Sequence, residues 1–259
     1  MVFSNEDLKQ LLDEKADQYN TAAFIDEDPI SIPHMFSRKE DIEIAGFLAA
    51  TIAWGQRPTI IRNATRLMEM MDYSPLDFVS HATDADLDIF NEFKHRTFNG
   101  QDAKYFVKAL HRLYLDHGGM EKLFTELWTL YNGDVGSVIS KFRRQFLSFA
   151  DPGRTAKHVA DPLQGSSAKR INMFLRWMVR RDGRGVDFGI WPEIPVSGLH
   201  CPLDIHTGNV ARALGLLTRK ANDWKAVEEL TSILRNFDPA DPVKYDYALF
   251  GMGVYEKMK

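Results

Sequence analysis

The sequence predicts an all-α fold. Nearly every periodic stretch carries its apolar residues at helical spacing, and no alternating run of any length interrupts them with a strand. Breaks such as Ser74-Pro75, Asn99-Gly100 and Gly118-Gly119 fall at intervals that suit a bundle of moderately short helices. There is no internal repeat and no low-complexity tract.

Glu6 to Tyr19 reads as an acidic amphipathic helix, and Pro29 and Pro33 mark an irregular connection after it. Ser37 with Glu40 three residues on has the form of a capping box. The helix it opens is apolar nearly all round from Ile42 to Trp54, which predicts a central position. Arg57 to Met71 follows, with Ile60, Ile61, Ala64 and Leu67 on its buried side. Ala103–Leu115, Met120–Tyr131 and Val135–Phe149 read as further helices, the last with a basic tip at Lys141, Arg143 and Arg144. The stretch from Asp182 to Pro202 is rich in Gly and Pro and reads as an ordered crossing between two lobes, with Trp191 and Ile194 packed. Thr207–Leu217 and Trp224–Asn236 complete the helices before Asp241-Pro242, where Asp caps and Pro fits the first turn of the last one.

A chain of 259 residues with 44% hydrophobic and 26% charged residues can bury a large core, as one domain or as two closely packed lobes. Its formal net charge of -4 argues against nucleic-acid binding through bulk positive charge. The distribution is uneven, however: Ser166 to Gly185 holds six basic residues against the single acid Asp182, whereas the first 28 residues hold eight acids and two lysines. Cys201 is the only cysteine, so neither an intrachain disulfide nor an iron–sulfur cluster can be built. Met1 to Lys15 lacks the apolar core of a signal peptide, and the uncharged run around Ile44 to Gln56 is shorter than the ~20 residues of a membrane span. A cytoplasmic protein without a membrane partner is the expectation.

Two stretches carry the chemistry. Gly165-Ser166-Ser167-Ala168-Lys169 is a small-residue turn running into a helix whose Ile171, Phe174, Leu175 and Met178 share one face. Arg170, Arg176, Arg180 and Arg181 fall elsewhere, so the other side reads as basic. Backbone N–H groups at such a helix start can hold a phosphate. Pro202-Leu203-Asp204-Ile205-His206-Thr207 then puts a carboxylate at the start of another helix.

These stretches resemble the hairpin and the catalytic-aspartate turn of the helix-hairpin-helix DNA glycosylases. Phe47-Leu48-Ala49-Ala50-Thr51-Ile52-Ala53-Trp54-Gly55-Gln56 is similar to that family's early core helix, which ends in a glutamine that fills the gap left by a flipped base. The similarity covers about half the chain. Ser166-Ser167 stand where the family has an apolar residue and a second glycine. The Lys169 to Asp204 separation of 35 residues is nearest to that of the family's archaeal 8-oxoguanine branch.

The resemblance implies a two-lobed, helix-hairpin-helix glycosylase-like fold with an inter-lobe cleft. One lobe would run over 40–185 and end in the hairpin, and the other would combine 1–39 with 186–259, the N-terminal helix folding back onto the C-terminal part. It implies a DNA repair enzyme that flips and excises a damaged base, an oxidised purine, from duplex DNA by base excision. Lys169 matches the nucleophile and Asp204 the carboxylate that stabilises the charged sugar. Asp246 and Phe250, four residues apart, would hold the flipped base together with Gln56 and Trp54, while Gly165, Ser167, Arg170, Arg176 and His206 would meet DNA. No cofactor or metal is expected, and the expected state is a monomer.

Taken singly, each residue has a plainer reading. Lys169 is also what an exposed first-turn lysine looks like, Asp204 a simple helix cap, Trp54 and Phe250 core residues, Gln56 a solvated turn residue and Asp246 a surface acid. A catalytically silent nucleic-acid-binding module and a helical protein-interaction scaffold therefore stand beside the enzyme reading.

Overall fold

The structure, a computed structural model, describes residues 4–258, so the first three residues of the Met1–Lys15 stretch lie outside it. The fold is all-α apart from one short hairpin. Its contacts divide the chain into two compact units: Met1–Phe24 with Val135–Ser137 and Asp161–Lys259, and Ile25–Asp134 with Val138–Ala160.

In the second of these units, α3 (Lys39–Thr51) is buried continuously from Ile42 to Thr51, the central position its composition predicts. Phe47 is its hub, stacked on Phe106 at 5.7 Å and edge-on to Phe142 and Phe146 at 5.6 and 5.3 Å. The expected Ser37 cap does not form. Arg38 occupies the cap position without a side-chain bond, and Asp41 instead accepts from Leu76 N–H at 2.8 Å, at the start of α5 (Pro75–His81). Between these helices lies α4 (Arg57–Met70), which buries Ile60, Ala64, Leu67 and Met68.

After α5 the chain makes the two-stranded antiparallel hairpin β1 (Lys94–His95) and β2 (Phe98–Asn99). Sequence periodicity cannot register strands this short. Asn99 then opens α6 (Gly100–His117) with a full capping box, its side chain accepting from Asp102 N–H while Asp102 accepts from Asn99 N–H at 2.9 Å. Gly100 is required there, because a Cβ would strike the Phe90 carbonyl. Helix α7 (Met120–Leu130) follows, then α8 (Val135–Phe146), which ends earlier than the periodicity predicts.

The first unit contains α1 (Asn5–Tyr19), most of the short α2 (Ala22–Asp26), α9 (Lys169–Val179), α10 (Ile205–Ala213), α11 (Trp224–Phe237) and α12 (Tyr245–Val254). Helix α1 does fold back on the C-terminal part, against α12. Tyr19 stacks on Tyr255 at 5.4 Å, and Asp13 receives the Tyr245 hydroxyl at 3.0 Å and the Lys244 ammonium at 2.9 Å. Asp241 accepts from Lys244 N–H, but the turn it caps, Pro242–Lys244, is a 3-10 turn, and α12 begins only at Tyr245. The expected lobe of residues 40–185 thus straddles both units: α9 belongs with the C-terminal helices, and its Arg176 is ion-paired to Asp246 of α12.

Gly251 lets α1 approach α12, since an added Cβ would run into the Tyr19 ring. Gly251→Ala is expected to cost about 1–3 kcal/mol, the usual range for overpacking, read as a lower midpoint in chemical denaturation. An unchanged midpoint would mean that the Tyr19 ring moves aside freely.

Candidate active site

The approach to α9 is a chain of tight turns. Asp161 caps the 3-10 turn Pro162–Gln164 by accepting from Leu163 N–H at 3.1 Å, and Gly165 ends it in the left-handed region at φ +86. Its carbonyl accepts from Trp224 N–H at 3.2 Å, and Ser166 bridges to Asp223. The turn is therefore laced to the start of α11. Trp224 in turn stacks on His200 at 5.1 Å and covers Gly136 closely.

The second left-handed residue is Ala168, at φ +46, and not Ser167, where the family's second glycine would fall. A side chain in that region costs roughly 1–2 kcal/mol. Ala168 is also the N-cap of α9 and supplies no side-chain bond, so the helix start beside Lys169 carries no hydroxyl or carboxylate cap. The N–H groups of Gly165, Ser166 and Ala168 are already bonded to Pro162 O, Asp161 O and Ser166 Oγ. These three groups are engaged within the turn itself.

Asp204 is the N-cap of α10. Its Oδ1 accepts from His206 N–H at 2.9 Å and Thr207 N–H at 3.0 Å. Its carbonyl accepts from Asn222 Nδ2 at 3.0 Å, and Asn222 is held by Arg212 at 2.5 Å. Gly208 permits this, since a Cβ there would lie 2.7 Å from Asn222 Oδ1. With Oδ1 committed to the cap, Oδ2 faces Lys169, whose Nζ is 3.7 Å away. Both side chains are 23% exposed. The cap and the ion-pair roles of Asp204 are thus one arrangement, with each oxygen doing one of them.

Behind this pair lies Asp246 of α12, buried and ion-paired to Arg176 of α9. Burial pushes its carboxyl up to about 6, against the lowering fields of Arg176 and Lys169 and with the raising field of Asp204. Cys201, fully buried in the same region, has its thiol pushed up by burial.

Two sequence assignments are corrected here. Arg176 does not present a basic face to DNA: it is 3% exposed, bonded through Nε to Asp187 at 3.2 Å and through Nη1 to Asp246, with Tyr247 packed 4.3 Å below its guanidinium. Asp246 is not a surface acid: it is buried, and its Oδ2 is ion-paired to Arg176. Phe250 is half-buried, edge-on to Phe24 at 6.1 Å. Arg170 is half-buried and Gly165 and His206 are exposed, while Ser167 accepts from Asn172 Nδ2 at 3.2 Å through its carbonyl.

A family model described as protein of unknown function (DUF2400) matches residues 28–255. The chain belongs to that family. No curated protein and no solved structure matches it. The DUF2400 match takes in every candidate residue named above. Among the described residues no group of three or more His, Cys, Asp or Glu side chains is arranged to hold a metal ion, and no helix is long and apolar enough to cross a membrane.

The other unit holds Trp54 and Gln56. Trp54 is half-buried, stacked on His158 at 5.9 Å and edge-on to His95 at 5.1 Å, so its ring is already occupied by packing. Gln56 is exposed and forms the N-cap of α4 without a side-chain bond. Sequence reasoning missed the polar cluster beside them. Asp102 accepts from Arg154 at 2.5 Å and Thr155 at 2.8 Å and lies 3.3 Å from His158; burial pushes its carboxyl up, but His158, the Asn99 N–H and Thr155 outweigh burial and hold it down at about 2. Its partners lie some fifty residues away, and the only local signal was the Asn99/Asp102 capping spacing.

Arg176→Ala should destabilise the first unit by about 3–5 kcal/mol, because it strands buried carboxylates. Urea denaturation reads this, and a change below 1 kcal/mol would return Arg176 to the surface. Asp246 gives a second test through linkage. Its folded pKa is raised from 3.8 to about 6, so its contribution is fully present below the unfolded value and is lost as pH rises through the folded one. The stability of wild type relative to Asp246→Asn should therefore fall between pH 4 and pH 6, by about 3 kcal/mol at most. A flat or rising difference would show that Arg176 dominates.

Proposed function

We propose that the chain is a DNA repair glycosylase with lyase capacity, which flips a damaged base, of the oxidised-purine class, out of duplex DNA and excises it. The observation that carries this reading is the approach of Lys169 Nζ to Asp204 Oδ2 at 3.7 Å, two partly exposed groups brought together from helix starts 35 residues apart in sequence. In the proposed reaction the amine, having lost a proton, attacks the anomeric carbon of the sugar. The bond from that carbon to the base breaks, and its electron pair leaves with the base, which takes a proton. The bond from that carbon to the ring oxygen then breaks, the ring oxygen takes the last N–H proton to become a hydroxyl, and the nitrogen is left double-bonded to the carbon as an imine. Asp204 Oδ2 stabilises the positive charge that builds on the sugar and accepts the proton the amine sheds.

A catalytically silent nucleic-acid-binding module is the second reading, and the same pair is compatible with it: a partly exposed lysine at a helix start can exchange Asp204 for a phosphate. A third reading, a helical protein-interaction scaffold, has no comparable observation behind it.

Borohydride trapping on a panel of lesion duplexes distinguishes these readings. Wild type should give a covalent adduct with an oxidised-purine duplex, and Lys169→Gln should abolish it while retaining binding. Asp204→Asn should bind damaged DNA and cleave it at least tenfold more slowly, an effect of about 1.4 kcal/mol on the barrier. Base release without an adduct would demote Lys169 to a phosphate contact. If no lesion duplex is cut or trapped, the silent module replaces the enzyme.

A further inference from the structure

The β1–β2 hairpin has a two-residue turn, Arg96-Thr97, between the register pairs His95↔Phe98 and Lys94↔Asn99. Its inward side is fastened. Phe98 is buried, and buried His95 accepts from Asn63 Nδ2 at 2.9 Å and donates through Nε2 to the Trp54 carbonyl at 3.1 Å. Arg154 donates to Thr97 O at 2.6 Å, Asn99 Oδ1 at 2.8 Å and Asp102 Oδ2 at 2.5 Å.

The outward side is different. Lys94, Arg96 and Thr97 are exposed, and Arg96 sits in the left-handed region at φ +53, a conformation that turns usually give to Gly or Asn. Its guanidinium reaches across Gly55, where a Cβ would lie 3.1 Å from Nη1, beside exposed Gln56. The hairpin is tied through Asn63 to α4, on which Arg62 and Arg66 are also exposed, one helical turn apart.

Among the described residues none of Lys94, Arg96, Arg62 and Arg66 forms an ion pair, whereas Lys104, Lys108 and Arg112 of the same unit are each matched to an aspartate. No acid occurs between residues 52 and 68. The nearest exposed acids in sequence are Glu92 and Glu69, and Glu69 accepts from Tyr73 at 3.4 Å. In a chain of net charge -4, two elements joined by the Asn63–His95 bond thus expose four unmatched cations, one of them on a left-handed turn residue. Arg62 and Arg66 are about 6 Å apart along the helix, one turn, so both lie on the same side of α4.

We propose that the Arg96 hairpin and the Arg62/Arg66 side of α4 grip the phosphodiester backbone of a nucleic acid, independently of its sequence. The choice of nucleic acid as the polyanion rests on the function proposed above. Guanidinium groups suit it because they meet phosphate oxygens bidentately.

The test uses the full chain. Binding of an undamaged duplex is followed by fluorescence anisotropy over a salt series for wild type, for Lys94→Ala with Arg96→Gly, and for Lys104→Ala with Lys108→Ala. The hairpin variant should bind more weakly to every duplex, with a salt slope reduced by about two units, one for each lost phosphate contact. Its melting temperature should not fall, because glycine removes the left-handed strain at residue 96. The variant at the paired lysines should match wild type.

An unchanged slope and affinity in the hairpin variant would overturn the proposal, and with lesion trapping intact it would leave the glycosylase reading standing. Salt-dependent binding lost in the variant, with no lesion trapped by wild type, would support the surface and sink the glycosylase. No duplex binding by wild type at low salt would sink both. Loss of binding to phosphatidylserine vesicles with duplex binding untouched would overturn the proposal in favour of a membrane surface.

Discussion

The first unit depends on one buried carboxylate. Asp187 lies in the Gly- and Pro-rich crossing after α9 and receives Arg176 Nε at 3.2 Å and Arg180 Nη1 at 3.0 Å, two side chains one helical turn apart. Arg180 also reaches Asp182 and Asp241 at 2.9 Å, and Arg176 reaches Asp246. These bonds fasten one side of α9 to the crossing, to the turn before α12 and to α12 itself. A pair buried this deeply adds little net stability, but losing one partner is costly, so what it supplies is a unique orientation. With α9 fixed in rotation, Lys169 at its start is fixed in direction. The arginines that look like a DNA-facing stripe in the sequence are instead the groups that anchor the helix that begins with Lys169.

Asp204 is fixed independently. Its position follows from the cap of α10, from Asn222 behind its carbonyl and from the space Gly208 leaves for Asn222 and Arg212. The Ser166–Asp223 bridge and the Trp224 N–H bond to Gly165 tie the turn before α9 to the segment carrying Asn222. The same short stretch, Asn222 to Trp224, therefore holds both halves of the site. Long-range placement of this kind is what a preorganised pair requires, since each helix fixes only its own member and not the distance between the two.

Helix content was legible because apolar spacing survives in a single sequence, and α3 was legible as central because it has almost no polar side. The Lys169 and Asp204 turns were legible because small residues and a Pro-x-Asp cap are local signals. What was hidden depends on partners distant in sequence. Arg176 and Arg180 read as a solvated face because periodicity assigns charge to the outside, and only Asp187, Asp241 and Asp246 reverse that. Ala168 at positive φ was hidden because nothing in an alanine marks it. The Arg96 hairpin was too short for alternation to register, and its fastening residues Asn63, Asp102 and Arg154 come from three other segments.

Burial then divides otherwise similar ion pairs by what they can do. The Lys169–Asp204 pair is 3.7 Å long and partly exposed, so solvent screens it and its contribution is of order 0–1 kcal/mol. A ligand can open it at little cost. The Arg176–Asp246 pair behind it is buried, and parting its members would leave an uncompensated charge in a low-dielectric interior. A solvent-screened pair in front of a buried one allows a site to exchange partners without losing its shape. A charged sugar or a phosphate could displace either member of the front pair, while the field from behind stays constant. Both the glycosylase and the silent-module readings need this much. They part only over whether Lys169, once released, loses its proton to Asp204 or keeps it for a phosphate.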